Sequence, residues 1–471
     1  LICIRAGRDL LDEPERYRGT GAGLLEIPLR LFPGVNPGKL RLQADRTGLR
    51  TLAALDGLED RAGTVIERAL PARFDYVEIP LGTDVESRGR ALARARKAGQ
   101  RTVVSQRSRL PPGSVESTVR ALQKCSRAGG DLVLGAFPAA SVEDVRVLLG
   151  ASRALRAMGV PFGLAGTGPL SPLVSLLPGG LTFCSSGGRG DGLDVSVASR
   201  IGPGTGRFAH IEGAGARARG AAVLDGCFRA LGLDAVCVGL SGPMDGAGAL
   251  FGLLVEMGFL GVSLERAVPG SELPVLPPEG RRMPSVSVVT VRPGGIFGHD
   301  TDGPALLRAL AESGIRVRRR RAVVAGTGAA ALSAASALRR NGARVALAGR
   351  SLRGALRAAR SIGAAAAAAP SVASLLRRSS LLVKADPELP QDFPAPSSLH
   401  AGLVVADLDG TGTNTPILRA AGEAGAQTVD GTAVAIHRVA ETVSLLTGLR
   451  PSRATVDRLI SEKARRGGAR D

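Results

Sequence analysis

Eight short apolar runs recur along the first 186 residues, at 1–6, 23–29, 50–55, 74–81, 101–106, 132–137, 161–166 and 181–186, separated by helix-compatible stretches. Strand-length runs alternating with helix-length segments leave few topologies open, because parallel strands need crossover connections. Eight of them predict an α/β architecture that closes as a (β/α)8 barrel, with any site at the C-terminal strand ends. A Gly-rich stretch, 186–206, then reads as a linker or lid. At 471 residues the chain exceeds what one core organises, so more domains are expected. The patterns divide it into a barrel (1–190), a linker (191–206), a second α/β unit (207–310), a third (311–450), and a C-terminal helix with a basic tail (451–471).

The third unit carries the most specific motif. A strand at 322–325 runs into Gly326-Thr327-Gly328-Ala329-Ala330-Ala331, then a helix at 332–341 and a second strand at 344–348. In such a turn the first Gly permits the tight bend and the second lets backbone approach a pyrophosphate. The small third residue, Ala331, lets helix and strand pack closely. This is the pattern of a dinucleotide-binding βαβ unit. The second strand ends in Gly349-Arg350-Ser351, with no Asp or Glu to accept a ribose 2′-hydroxyl. A guanidinium and a hydroxyl suit a 2′-phosphate, so NADP is the expected cofactor.

Composition narrows the remaining classes. No apolar stretch approaches the ~18–20 residues of a membrane span, so a soluble protein is expected. A net charge of +19 invites a nucleic-acid reading. Only five of the 61 basic residues are Lys, however, and Arg is spread through a chain rich in Gly. No aromatic interleaving accompanies it, so nucleic acid is not the expected partner. The dense cluster Arg316, Arg318, Arg319, Arg320 and Arg321 reads as a solvated loop, with an anion patch as the alternative. Five widely spaced cysteines without a CxxC pair suggest reduced core thiols. The histidines (His210, His299, His400, His437) lack metal-ligand spacing, so no metal is expected. His299 adjoins the turn His299-Asp300-Thr301-Asp302-Gly303. Lys384, at the end of strand 381–383, and Asp407-Leu408-Asp409-Gly410, a strand end, complete the candidates.

The order of an eight-strand barrel, a small α/β domain ending in Gly298-His299-Asp300-Thr301-Asp302-Gly303, and an NADP-type βαβ unit resembles the bifunctional 3-dehydroquinate dehydratase–shikimate dehydrogenase of plants. Further local matches are Leu25-Glu26-Ile27, Asp75-Tyr76-Val77, Phe228 to Val236, Thr415-Pro416-Ile417-Leu418 and Val429-Asp430-Gly431. The resemblance implies a type I dehydratase barrel, a two-domain dehydrogenase with a C-terminal Rossmann fold, a shikimate-type small-molecule substrate and a plastid setting.

The resemblance also implies residues that this chain lacks. The family's Schiff-base lysine falls on Leu134 and its histidine on Arg107. Only a primary amine forms the iminium, and arginine stays protonated, so the dehydratase is expected to be inactive. Other dehydratase contacts fall on Pro28, Arg30, Pro80 and Pro172, while Glu26 is retained and Glu78 lies on the same strand face as Pro80. In the dehydrogenase half Asp302 matches the dyad aspartate and Thr301 stands beside it. The partner lysine is expected near Val262 to Arg266, where Arg266 supplies charge but no titrating proton. Two substrate-binding serines fall on Ala218 and Gly220, an asparagine on Val289 and a glutamine on Arg438. The expected cofactor contacts are Gly326, Thr327, Gly328, Ala329, Ala330, Gly349, Arg350, Ser351 and Gly431. Two functions follow: an NADP-dependent shikimate dehydrogenase fused to an inactive barrel, or a pseudoenzyme that binds NADP or a metabolite without turnover.

Overall fold

The computed structural model describes residues 1–55, 62–185, 192–213, 219–241, 247–368, 372–386, 389, 393–408 and 415–468. Two compact units divide the chain: Leu1–Thr205 with the short run Val238–Gly242, and Gly206–Cys237 with Pro243–Asp471.

The first unit runs β1 (Ile2–Arg5), β2 (Leu24–Pro28), α1 (Pro37–Asp45), β3 (Arg50–Ala54), α2 (Ala62–Ala69), β4 (Tyr76–Pro80), α3 (Val85–Lys97), β5 (Arg101–Arg107), α4 (Val115–Arg127), β6 (Leu132–Pro138), α5 (Val142–Ala157), β7 (Phe162–Thr167), α6 (Ser171–Val174) and β8 (Leu181–Ser185). All eight strands are parallel to their neighbours, and β8 pairs with β1, so the sheet closes. Alternate residues point inward. Cys3, Leu24, Leu52, Tyr76, Val103, Leu134 and Leu181 fill one apolar cluster. Ser114 and Ser141 open α4 and α5 with reciprocal capping boxes, which fixes where these helices begin.

Two local expectations change. No α-helix joins β1 to β2; two short 3₁₀ turns, Arg8–Leu10 and Pro14–Tyr17, do. There the Tyr17 hydroxyl accepts from the Gly7 amide (2.8 Å) and donates to Asp9 (2.6 Å), tying the two turns together. Within 191–206, read as a linker, β9 (Leu193–Asp194) pairs with β8 and α7 (Val195–Ala198) follows. Leu193, Val195 and Ala198 are buried, so three apolar residues hold a Gly-rich stretch to the barrel.

From residue 206 the chain runs β10 (Gly206–Glu212), α8 (Arg219–Ala230), β11 (Ala235–Ser241, of which the residues from Val238 group with the first unit), α9 (Ala247–Glu256), β12 (Gly261–Val268), α10 (Pro278–Arg281), β13 (Val286–Arg292) and β14 (Gly295–His299). These strands form a five-stranded sheet in the order β11-β10-β12-β13-β14. β10 is parallel to β12, and β13 is antiparallel to both β12 and β14. The C-terminal ends of β10, β12 and β14 therefore share one sheet edge.

There follow α11 (Asp302–Glu312), β15 (Arg321–Ala325), α12 (Ala329–Arg340), β16 (Arg344–Gly349), α13 (Leu352–Ile362), β17 (Ala365–Ala368), α14 (Val372–Leu376), β18 (Leu381–Lys384), β19 (Val404–Asp407), α15 (Pro416–Glu423), β20 (Gln427–Val429), α16 (Gly431–Thr447) and α17 (Arg453–Gly468). The parallel six-stranded sheet has the order β17-β16-β15-β18-β19-β20. Apolar clusters cover both of its faces, as a buried parallel sheet requires. Strand order reverses between β15 and β18, which is where open α/β sheets bind ligands.

The five cysteines are free and buried, and burial pushes the Cys125 and Cys227 thiols up to about 11. Among the described residues, no helix is long and apolar enough to cross a membrane, and no cluster of three His, Cys, Asp or Glu could hold a metal.

Candidate functional site

The Gly-rich turn sits at the strand-order reversal. Gly326 has φ +138°, and a Cβ there would meet the Cβ atoms of Ala331 and Asp386 at 3.0 Å and the Ala385 carbonyl at 3.1 Å. Only glycine fits. Gly328 is the opposite case: it starts α12, and among the described residues nothing lies within 4 Å of where its Cβ would be. A glycine that faces open space at a helix N-terminus leaves room for a phosphate against backbone amides. Thr327 packs on Gly349, where a Cβ would come within 2.6 Å of its methyl group. Ala329 is buried and Ala330 half-buried in the first turn of α12. Arg350 is exposed just after β16, and the Ser351 hydroxyl caps α13 through the Gly354 amide at 3.1 Å. Gly431 opens α16 immediately after its Asp430 cap. The arginine cluster 316–321 leads into the N-terminal end of β15, the sheet edge opposite this turn.

Asp302, 6% exposed, starts α11, and its carboxylate lies 3.6 Å from the Arg438 guanidinium of α16. Arg266 is exposed on β12. Thr301 is fully buried, sharing a 2.8 Å hydrogen bond with Ser287. The Ser333 hydroxyl, on α12, accepts from the Gly303 amide (2.6 Å) and contacts both Asp300 oxygens (2.7 and 2.6 Å). A side chain at Gly303 would strike Ala337 and Ser333, so the absent side chain is what lets α11 approach α12 this closely. The turn bearing Asp302 is thereby bound to the helix that begins at the Gly-rich loop. His299 shares a 2.9 Å hydrogen bond with Thr290, and burial, aided by Arg292, lowers its pKa.

Burial pushes the Asp300 carboxyl up to about 6; the Ser333 hydroxyl opposes the shift and the Asp302 charge adds to it. The folded state therefore holds this proton more tightly than the unfolded chain, whose value is near 3.8. The associated stability is fully present below about pH 3.8 and is lost as pH rises through 6. Asp300→Asn is expected to gain stability relative to the unmodified chain between pH 4 and 7, on the order of 2 kcal/mol. Urea unfolding across that range checks it, and a pH-independent difference would contradict it.

In the barrel, Leu134 is fully buried in the apolar cluster opposite Ser105, and Arg107 lies opposite Ala136, two residues further along the strands. The Arg107 guanidinium binds both Glu78 oxygens (2.7 and 3.0 Å) and reaches Glu26 at 3.2 Å. Glu78 also accepts from the Leu55 amide, and Arg5 lies 3.8 Å from Glu26. This ion cluster was not anticipated as a unit. Its signal was present in strand parity, since residues 26, 78 and 107 all fall on inward positions. Among the other candidates, Lys384 lies 3.8 Å from Asp407 at the ends of β18 and β19, and Val289 is buried in β13. Ala218, Asp409 and Gly410 lie outside the described residues.

No family model matches the chain. A shikimate dehydrogenase (NADP(+)) of Methanosarcina mazei is 30% identical over 225 residues, covering 44% of this chain and 80% of that protein. The enzyme of the same name from Anaeromyxobacter sp. is 31% identical over 237 residues, with 47% and 83% covered. Among solved structures, dehydroquinate dehydratase and shikimate dehydrogenase from S. pombe AroM aligns over 98% of both chains, at 18% identity and TM-score 0.45. A dinucleotide-type turn, hydrogen-bonded through Ser333 to the turn that carries Asp302, sits on an α/β sheet of doubly wound type. The sequence matches make it specific: the chain belongs to the shikimate dehydrogenase family.

Proposed function

We propose that the second unit is an NADP-dependent oxidoreductase module of the shikimate dehydrogenase type, joined to a dehydratase-like barrel that performs no Schiff-base chemistry. The cofactor fits the residues present: Gly326 and Gly328 leave room for a pyrophosphate at the N-terminus of α12, and the exposed Arg350 suits a 2′-phosphate. When bound, NADP accepts or supplies the hydride. Thr327, Ala329, Ala330, Gly349, Ser351 and Gly431 complete that cradle. Arg350→Ala is expected to weaken NADP binding about 10–100-fold and to leave NAD binding unchanged, as read by calorimetry. An equal loss for both cofactors would remove Arg350 from the 2′-phosphate role.

The observation that carries the reading of activity is the Asp302–Arg438 pair. Asp302 can orient a substrate hydroxyl and accept its proton, but a guanidinium does not exchange protons at working pH. Loss of one acid–base partner costs about 10²–10⁴-fold. The full chain is expected to bind NADP and to oxidise shikimate at least about 100-fold more slowly than a family member with a Lys–Asp pair. Turnover at that member's rate would overturn the assignment for Arg438, and absence of NADP binding would overturn the module itself.

A second reading, a pseudoenzyme that binds NADP or a metabolite without turnover, is favoured by the barrel. Leu134 offers no amine, and Arg107 is engaged by two carboxylates.

A further inference from the structure

The sheet edge that carries Asp302 holds two more carboxylates, and both are bound to backbone amides of the same chain. Register places His210 of β10 beside Ser263 of β12, Ser263 opposite Val288 of β13, and Val288 opposite His299 of β14. Glu212 and Glu265 lie two residues beyond His210 and Ser263, at the level where β14 gives way to Asp300 and Asp302. Glu212 is 1% exposed and accepts a hydrogen bond from the Gly220 amide, in the first turn of α8. Glu265 is exposed and accepts from the Gly213 amide at 2.9 Å. His210 braces the first of them: its Nδ1 is 2.7 Å from the Ser263 hydroxyl, and its Nε2 is 3.8 Å from Glu212. Gly220 closes against the imidazole, for a Cβ there would fall 2.1 Å from Nε2.

Amides at the carboxyl edge of a sheet and at the start of a helix are the donors that a bound anion would use. In this chain Glu212 and Glu265 use them first, and their charges oppose a second anion nearby. The substrate for which the relatives are named, shikimate, is itself a carboxylate.

We propose that Glu212 and Glu265 are specificity-determining residues that exclude carboxylate substrates and direct this site to uncharged polyhydroxylated alcohols or ketones. The proposal rests on the oxidoreductase reading of the same unit. Glu212, fixed by His210 and Gly220, is the internal anion; Glu265 supplies the second charge at the mouth.

The test compares shikimate with its methyl ester, the same ring and hydroxyls without the charge, by calorimetric titration of the full chain with and without saturating NADP. The ester is expected to bind at least about ten-fold tighter than shikimate. In the Glu212→Gln/Glu265→Gln double variant that preference is expected to fall to near parity, since glutamine keeps an acceptor for each amide but loses the charge. Should the double variant misfold, Glu265→Gln alone, at an exposed position, is expected to lower the preference measurably. Shikimate binding as tightly as its ester, a preference untouched by the substitutions, or failure of both ligands to bind would each overturn the proposal. The parallel NADP titration distinguishes the two failures: cofactor binding without ester preference sinks the specificity assignment alone, whereas no cofactor binding sinks the parent reading.

Discussion

Replacing Arg107 with alanine is expected to destabilise the barrel unit by about 3–5 kcal/mol, the cost of leaving buried carboxylates without their cation. Glu78 is fully buried and Glu26 nearly so. Arg107 reaches Glu78 at 2.7 Å, whereas Arg5, 39% exposed, lies 3.8 Å from Glu26. Adding Glu78→Gln to Arg107→Ala removes one orphaned charge and is expected to restore part of the loss, a non-additivity that neighbouring groups should show. The chain has two tyrosines, Tyr17 and Tyr76, and no tryptophan. Both tyrosines lie in the barrel unit, so tyrosine fluorescence during urea unfolding reports on that unit. A loss under 1 kcal/mol would show that the cluster carries little of the barrel's stability. The same geometry explains why Leu134→Lys is not expected to restore a dehydratase: the new amine would enter the apolar cluster of the barrel, and Arg107 is already held by two glutamates.

Gly326→Val is the second large effect. The position combines φ +138°, which a β-branched residue scarcely adopts, with three atoms within about 3 Å of any Cβ. Accommodating valine must shift the turn or α12, which begins at Ala329. NADP affinity is expected to fall at least about 100-fold, equivalent to roughly 3 kcal/mol. Calorimetry would measure this, and the barrel's tyrosine-detected unfolding should stay unchanged. Undiminished binding would mean that the cofactor does not use this turn.

Much of the architecture was legible because it is written in local periodicity. The eight runs of the first 186 residues became eight paired strands, and the 322–348 pattern became a strand, turn, helix and strand with Ala331 packed against Gly326. What escaped was non-local. Leu193, Val195 and Ala198 are too few to outweigh a Gly-rich background in sequence, yet their burial folds part of the expected linker onto β8. The segment between β1 and β2 read as helix-compatible, but Pro14 and the Tyr17–Asp9 contact settle it as 3₁₀ turns.

Site chemistry followed the same division. Asp302 and the glycine turn could be found by motif, whereas their partners could not. Arg438 meets Asp302 across 136 residues, and Arg107 meets Glu78 across 29 and Glu26 across 81. Neither pairing leaves a spacing signal, because the two members lie on different elements. Arg266 drew attention by nearness to an expected motif, but the cation at Asp302 comes from α16.

The most direct measurement is a calorimetric titration of the full chain with NADPH and, in parallel, with NADH. Saturable NADPH binding at least about ten-fold tighter than NADH is expected, the difference that a guanidinium on the 2′-phosphate supplies. No binding of either cofactor, or equal affinity for both, would contradict it.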